Sequence, residues 1–265
     1  MRSIFLMLSA ICLYYQNSFG NNEVELQRLN SSIQHAIDFI EVNQSGLEVP
    51  VFSIFKLFNK NYNAGIELDD SGFIAGLNDD EYKEWYFYKP FFDTSFVLQE
   101  DCLEEKITQN ILLRSFYKDK IRLPDDYLQY VSKLSKEGIY DLLHMYWVLQ
   151  NVRDYYSTSS EKKSYNLLDD DLYRQINNAF FVNPTYGLTD EKVEAAVFVL
   201  LGKNKKTIQA SFVNKVINSQ EANGSWCFLD NQCNQDLTYI KEYKMHNTIV
   251  SLFLLLQYRA NMILN

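Results

Sequence analysis

Near the end of the chain, Thr248-Ile249-Val250-Ser251-Leu252-Phe253-Leu254-Leu255-Leu256 is apolar on nearly every side of a helix. A helix without a polar face belongs inside a core rather than on its edge. This stretch therefore predicts a central post around which other helices pack. The residues before it support the same reading. Phe212, Val213, Val216 and Ile217 recur at i, i+1, i+4 and i+5, the stripe of a helix ending near Gln220. A polar turn follows from Gln220 to Phe228, in which Gly224 can supply the positive φ that a sharp stop needs.

The rest of the chain reads mainly as amphipathic helix. Leu26, Leu29, Ile33, Ala36, Ile37 and Ile40 form one stripe, and Phe52, Phe55 and Phe58 a shorter one after Pro50. The stretch from Asn59 to Glu84 is rich in Asn, Gly and acids and reads as a long loop. Trp85-Tyr86-Phe87-Tyr88 fits either a short strand or an aromatic plug. Helix is expected again from Asp101, through Leu103, Ile107, Ile111 and Phe116, and then from Pro124, with Tyr127, Val131 and Leu134 beneath. Tyr140, Leu142, Leu143, Tyr146, Trp147 and Leu149 mark a strongly apolar helix that also holds His144. Thr189 is a plausible N-cap, with Asp190 and Glu191 in the first turn. Apolar stripes of this kind give about nine helices and no alternating strands. An all-α fold of packed helical hairpins is expected, with outer and inner helices as in an α/α toroid. Residues 21–265 read as a single helical domain, with a weak division at the polar stretch 157–164.

Met1-Arg2-Ser3, the apolar run Ile4–Tyr15 and the small residues Ser18 and Gly20 describe a secretory signal peptide over residues 1–20. Export makes disulfides available. Cys227 and Cys233 flank five residues and can close a small ring, which leaves Cys102 buried alone or bridging to a second chain. Asn30, Asn43 and Asn223 stand in glycosylation sequons, whereas Asn183 is followed by proline and is excluded. The formal net charge of −9 argues against nucleic acid and anionic membrane as partners, since both recruit basic surfaces.

Candidate chemistry is sparse. The three histidines are His35, His144 and His246. His144 is either a base in a central pocket or a core histidine with both ring nitrogens satisfied. His246 opens the motif His246-Asn247-Thr248, whose simplest role is to cap the final helix. No two histidines stand at metal-ligand spacing and the cysteines form no ligand pairs, so no metal is expected. Asp169-Asp170-Asp171 suits a solvated helix N-terminus better than a divalent ion. There is no phosphate-cradling glycine loop and no nucleophile elbow, so no cofactor is expected. Gln220-x3-Gly224-x-Trp226 resembles one Gln-Trp element of the triterpene cyclases, and Asp101-Cys102-Leu103-Glu104-Glu105 resembles their acidic stretch. The chain is too short for their two barrels, so this likeness bears on helix-hairpin architecture and not on activity.

Four stretches together resemble another family, the secreted proteins of uncharacterised protein family 0764 (domain of unknown function 4735), which includes a thyroid-enriched vertebrate member. His35-Ala36-Ile37-Asp38-Phe39-Ile40-Glu41 resembles that family's first helix, and Tyr140-Asp141-Leu142-Leu143-His144 its Tyr-x-Leu-Thr-His segment. Gln220 with Cys227-Phe228 is similar to its Trp-Gln…Gly-Cys-Phe turn, and His246-Asn247-Thr248 to its closing His-Asn-Thr helix start. The family carries more cysteines. Here Leu143 stands where it has threonine, and Ser219 where it has tryptophan. The resemblance implies a secreted glycoprotein of unknown activity that forms a homodimer.

Two functions follow as expectations. The first is a non-enzymatic protein that binds another protein or itself, in which Trp147, Phe253 and Leu254 fill the axis of the bundle. The second is an α/α-toroid enzyme acting on a glycan or lipid, with His144 and His246 as catalytic residues. It requires a polar-lined concavity in which the two rings lie within about 10 Å of each other among carboxylates.

Overall fold

A computed structural model describes residues 26–43, 47–89, 108–182, 187–202, 208–229, 233 and 238–263. These residues form helices and connecting turns, with no strand among them. In chain order the helices are α1 (26–42), α2 (Val49–Tyr62), α3 (Asp70–Gly76), α4 (Asp79–Tyr88), α5 (Thr108–Phe116) and α6 (Tyr127–Leu134). They continue with α7 (Ile139–Asn151), α8 (Ser159–Asn177), α9 (Asp190–Leu201), α10 (Ala210–Asn218) and α11 (Thr238–Ile263). A π-helical turn, Asn178–Val182, extends α8. The fold is all-α, as expected. The proposed signal peptide, the Asp101–Glu105 stretch and Cys102 lie outside the described residues.

The apolar run at 248–256 is the post that its composition demands. Leu252, Leu254 and Leu255 are 0% exposed, and even Thr248 and Ser251 are fully enclosed. None of the described helices is long and apolar enough to cross a membrane. α11 packs most extensively on α9, α9 on α7, and α2 covers another flank of α11. In α7 every residue from Leu142 to Gln150 is buried, and in α9 every residue from Ala195 to Leu200. The central stretches of α7, α9 and α11 are apolar all round and form an inner row. By contrast α6, α8 and α10 each bury a single stripe, such as Val213 and Val216 of α10. Outer and inner helices therefore alternate along the second half of the chain. Replacing Leu254 with alanine is expected to lower stability by about 3 kcal/mol, since it removes enclosed methyl groups and leaves a cavity. Urea denaturation measures this, and a loss below about 0.5 kcal/mol would mean that α11 is peripheral.

The structure differs from the local reading at four stretches. The acid-rich stretch 59–84 is not one long loop, because its Asn and Asp residues are helix caps. Asp69 accepts the Gly72 N–H at the start of α3. Asn78 and Glu81 form a reciprocal capping box that starts α4. The aromatic cluster is accordingly helical, with Trp85 and Tyr88 turned into the core. Pro124 precedes α6 rather than opening it, and its carbonyl accepts the Tyr127 N–H at 3.0 Å. The polar stretch at 157–164 is mostly helix, since Thr158 and Glu161 form a second capping box that begins α8.

The turn between α10 and α11 ties α1, α10 and α11 together. Gln220 donates from Nε2 to the carbonyls of Ser32 and Gly224, both at 2.9 Å, and accepts from Ser32 Oγ at 2.8 Å. Trp226 is 0% exposed, and its indole N–H donates to the Val216 carbonyl at 2.7 Å. Gly224 has φ 92°, as its place in the turn predicts. It is buried against α1, while the neighbouring sequon residue Asn223 is exposed. Cys227 and Cys233 are joined by a disulfide, as their spacing suggests.

Candidate functional site

Four helices each direct one stripe toward a common cavity. From α7 come Tyr140, Asp141, His144 and Trp147, spaced i, i+1, i+4 and i+7. α11 presents one helical face with His246, Ile249, Val250 and Phe253, spaced i, i+3, i+4 and i+7. α9 contributes Glu194, Val197 and Phe198, and α2 contributes Pro50, Val51, Ile54 and Leu57. The cavity measures about 870 Å³. Pockets for small molecules span roughly 300–1,000 Å³ and combine apolar walls with a few placed polar groups. Aliphatic and aromatic side chains make up most of this wall. The polar groups gather where α7, α9 and α11 meet, with Glu48, Lys133 and Glu137 also on the wall.

His144 is held by its own helix. Nδ1 lies 2.9 Å from the Tyr140 carbonyl, which can only accept, so Nδ1 carries the proton. The neutral ring then presents a bare Nε2 toward Glu194 Oε1, 3.8 Å away. That separation exceeds a direct hydrogen bond. Burial pushes the His144 pKa below the ordinary value, against the Tyr140 carbonyl and Asp141, which favour the charged ring. Tyr140 lies tilted against the imidazole with centroids 3.9 Å apart, and Phe198 meets it edge-on at 5.9 Å. Trp147 and Phe198 stack on each other at 5.2 Å. The expectation of a satisfied core histidine therefore holds for one nitrogen, and the other lies near Glu194, which with His144 lines the cavity.

His246 does not cap α11. The helix begins at Thr238, so the motif at 246–248 lies two turns inside it. The side chain of His246 is 49% exposed, and its Nδ1 lies 3.0 Å from Asp190 Oδ2. Asn247 is buried, and with its amide nitrogen toward Asp190 Oδ1 (2.8 Å) its oxygen accepts the Phe228 N–H at 3.2 Å. Asp190 is thus gripped by two consecutive residues of α11. Desolvation works against a charged His246, but the hydrogen bond and charge of Asp190, with Glu194 and Glu191, raise its pKa overall.

Glu194 is the residue that sequence reasoning missed. It is a lone carboxylate in the apolar run Val193–Leu201, and that isolation was the available signal. Its side chain is 12% exposed. Desolvation pushes its pKa from 4.5 to about 7, with His246 opposing and Asp190 and Glu191 adding to the rise. The folded state therefore holds a proton that the unfolded chain releases, and stability falls as pH climbs from 4.5 to 7. Glu194→Gln should abolish that loss. In urea melts the variant is expected to be more stable than the parent by about 1–3 kcal/mol at pH 8 and nearly equal to it at pH 4. A less stable variant at pH 8 would show the carboxylate to be favourably paired.

The remaining candidates sit elsewhere. Asp169, Asp170 and Asp171 lie in the middle of α8, not at its N-terminus, because the helix starts at Ser159. Asp169 is 1% exposed and accepts Gln150 Nε2 at 2.6 Å, Asp170 is exposed, and Asp171 accepts from Gln175. Consecutive helical residues diverge by about 100°, so the three carboxylates do not converge on an ion. Among the described residues one group of metal-type donors clusters, Glu221 with Cys227 and Cys233. Those two sulfurs are bonded to each other at 2.07 Å and offer no thiolate. The sequon residues Asn30, Asn43 and Asn223 are all exposed.

Neither extreme expected of the axis is realised. Trp147 and Phe253 line a cavity rather than fill it, while Leu254 faces the core. Both histidines reach the cavity, yet its wall is mainly apolar. No family model, no curated protein and no solved structure matches the chain.

Proposed function

We propose that this chain is an exported helical glycoprotein that binds a small, mainly apolar molecule between α2, α7, α9 and α11 without transforming it. The observation that carries the reading is the 870 Å³ cavity, walled by side chains such as Val51, Ile54, Val197, Ile249, Val250 and Phe253. Leaving such a surface wet is unfavourable by roughly 25 cal/mol per Å², and an apolar ligand recovers that energy. The apolar signal-like start, the sequons and the resemblance to the uncharacterised secreted family support export, and the Cys227–Cys233 disulfide is compatible with it. A protein partner, or the homodimer that the resemblance implies, would need a continuous apolar face. Among the described residues the large exposed apolar side chains, including Val42, Tyr82, Ile139 and Leu167, are spread over α1, α4, α7 and α8.

Calorimetric titration with dodecanol tests the reading. Saturable 1:1 binding is expected, and Ile54→Trp, which adds bulk to the wall, should weaken it. Absence of saturable binding contradicts the reading. Mass spectrometry of the unreduced secreted protein should show a chain starting at Asn21 that carries glycans and an intact 227–233 ring. A second reading, an enzyme acting on a glycan or lipid, draws on one observation, the meeting of His144, His246 and Glu194 on one wall. Turnover of a lipid ester or an oligosaccharide that His144→Ala abolishes would favour it over binding.

A further inference from the structure

We infer that the ligand of this cavity carries a cationic ammonium head on its apolar body. The inference rests on the binding reading above and adds the chemistry of the head group. Four carboxylates stand on the wall, Glu48, Glu137, Asp141 and Glu194, against a single lysine, Lys133. The charge of His246 is already engaged by Asp190 at 3.0 Å.

Helix ends do not reverse this balance. The first turns of α2 and α7 reach the wall through Pro50, Tyr140 and Asp141, and the partial positive charges there favour anions. Each brings its own carboxylate in the cap or first turn, Glu48 and Asp141 respectively. Glu137 remains, joined by Glu194 once it ionises above about pH 7, and Lys133 offsets only one of them. Glu194 sits deepest of these, with its side chain only 12% exposed.

Aromatic faces complete the arrangement. Tyr140, Trp147 and Phe198 surround His144, with ring centroids 3.9, 6.3 and 5.9 Å from the imidazole. Together with the carboxylates these rings line the cavity wall, where their quadrupoles attract a cation. An anionic head would instead meet bare His144 Nε2, an acceptor, and a row of carboxylates. An alcohol would satisfy one hydrogen bond and leave the charge unanswered.

The experiment is a calorimetric series at pH 8, where Glu194 is ionised, on the full secreted protein with three twelve-carbon probes below their micelle or solubility limits. They are dodecyltrimethylammonium, dodecanol and dodecanoate, which share a tail and differ in the head. The ammonium probe is expected to bind about tenfold tighter than dodecanol, with dodecanoate weakest. Glu194→Gln and Glu137→Gln should each narrow the gap between ammonium and alcohol several-fold. If dodecanol or dodecanoate binds as tightly as the ammonium, the inference falls while the cavity still binds apolar ligands. If no probe binds saturably, both readings fall. Ammonium binding that persists unchanged in Ile54→Trp places the probe on the surface and also overturns the inference.

Discussion

Trp226→Ala is expected to lower the unfolding free energy by about 4–5 kcal/mol, measured by urea denaturation of the unreduced protein. The side chain is 0% exposed and is the largest fully enclosed one among the described residues. Truncating such an aromatic removes its transfer energy and leaves a void at the junction of α10 and α11. The indole hydrogen bond contributes less. The Val216 carbonyl that accepts it at 2.7 Å also accepts from Ser219, through N at 3.1 Å and Oγ at 2.8 Å. Losing the indole therefore does not strand that oxygen. Trp226→Phe, which keeps most of the volume, should cost only about 1 kcal/mol. Equal losses from Ala and Phe would shift the explanation from packing to hydrogen bonding.

Gly224→Ala should be nearly as severe, at about 4 kcal/mol, for a different reason. Its φ of 92° is a conformation that L side chains rarely adopt, a strain of about 1–3 kcal/mol. A Cβ there would also lie 2.0 Å from the His35 carbonyl oxygen, which belongs to the backbone of α1 and cannot swing aside. Relief requires the turn to lift off α1 and to disturb the bonds from Gln220 to Ser32 and Gly224. Gly65 separates the two effects. Its φ is 75°, and nothing lies within 4 Å of its missing Cβ. Gly65→Ala should therefore show backbone strain alone, about 1 kcal/mol. Matching losses at the two glycines would contradict the close approach of the turn to α1.

What could be read from the sequence was local. The enclosed post at 248–256 follows from a missing polar face, the positive φ of Gly224 from its place in a turn, and the 227–233 ring from spacing. Thr189 caps α9 as expected, accepting the Lys192 N–H at 3.3 Å. The failures share a cause, which is that capping residues and loop residues are the same types. Asn78 and Asp69 read as loop because their hydrogen bonds to the following turn are invisible without φ and ψ. His246 read as a cap because the apolar run begins just after it, yet α11 starts at Thr238 with a polar first stretch. The site was less legible still. Asp190 looked like a dipole residue, whereas its partners His246 and Asn247 lie more than fifty positions away. His144 and Glu194 meet only because α7 and α9 pack side by side.

The central claim is that α7, α9 and α11 enclose a ligand cavity on the side that bears His144 and Glu194. Isotope-edited nuclear Overhauser measurements with unlabelled dodecyltrimethylammonium test it most directly. The account predicts contacts from the alkyl chain to the methyl groups of Ile54, Val197, Ile249 and Val250. Contacts confined to exposed side chains such as Val42 and Leu167, or no intermolecular contacts at saturating probe, would contradict it.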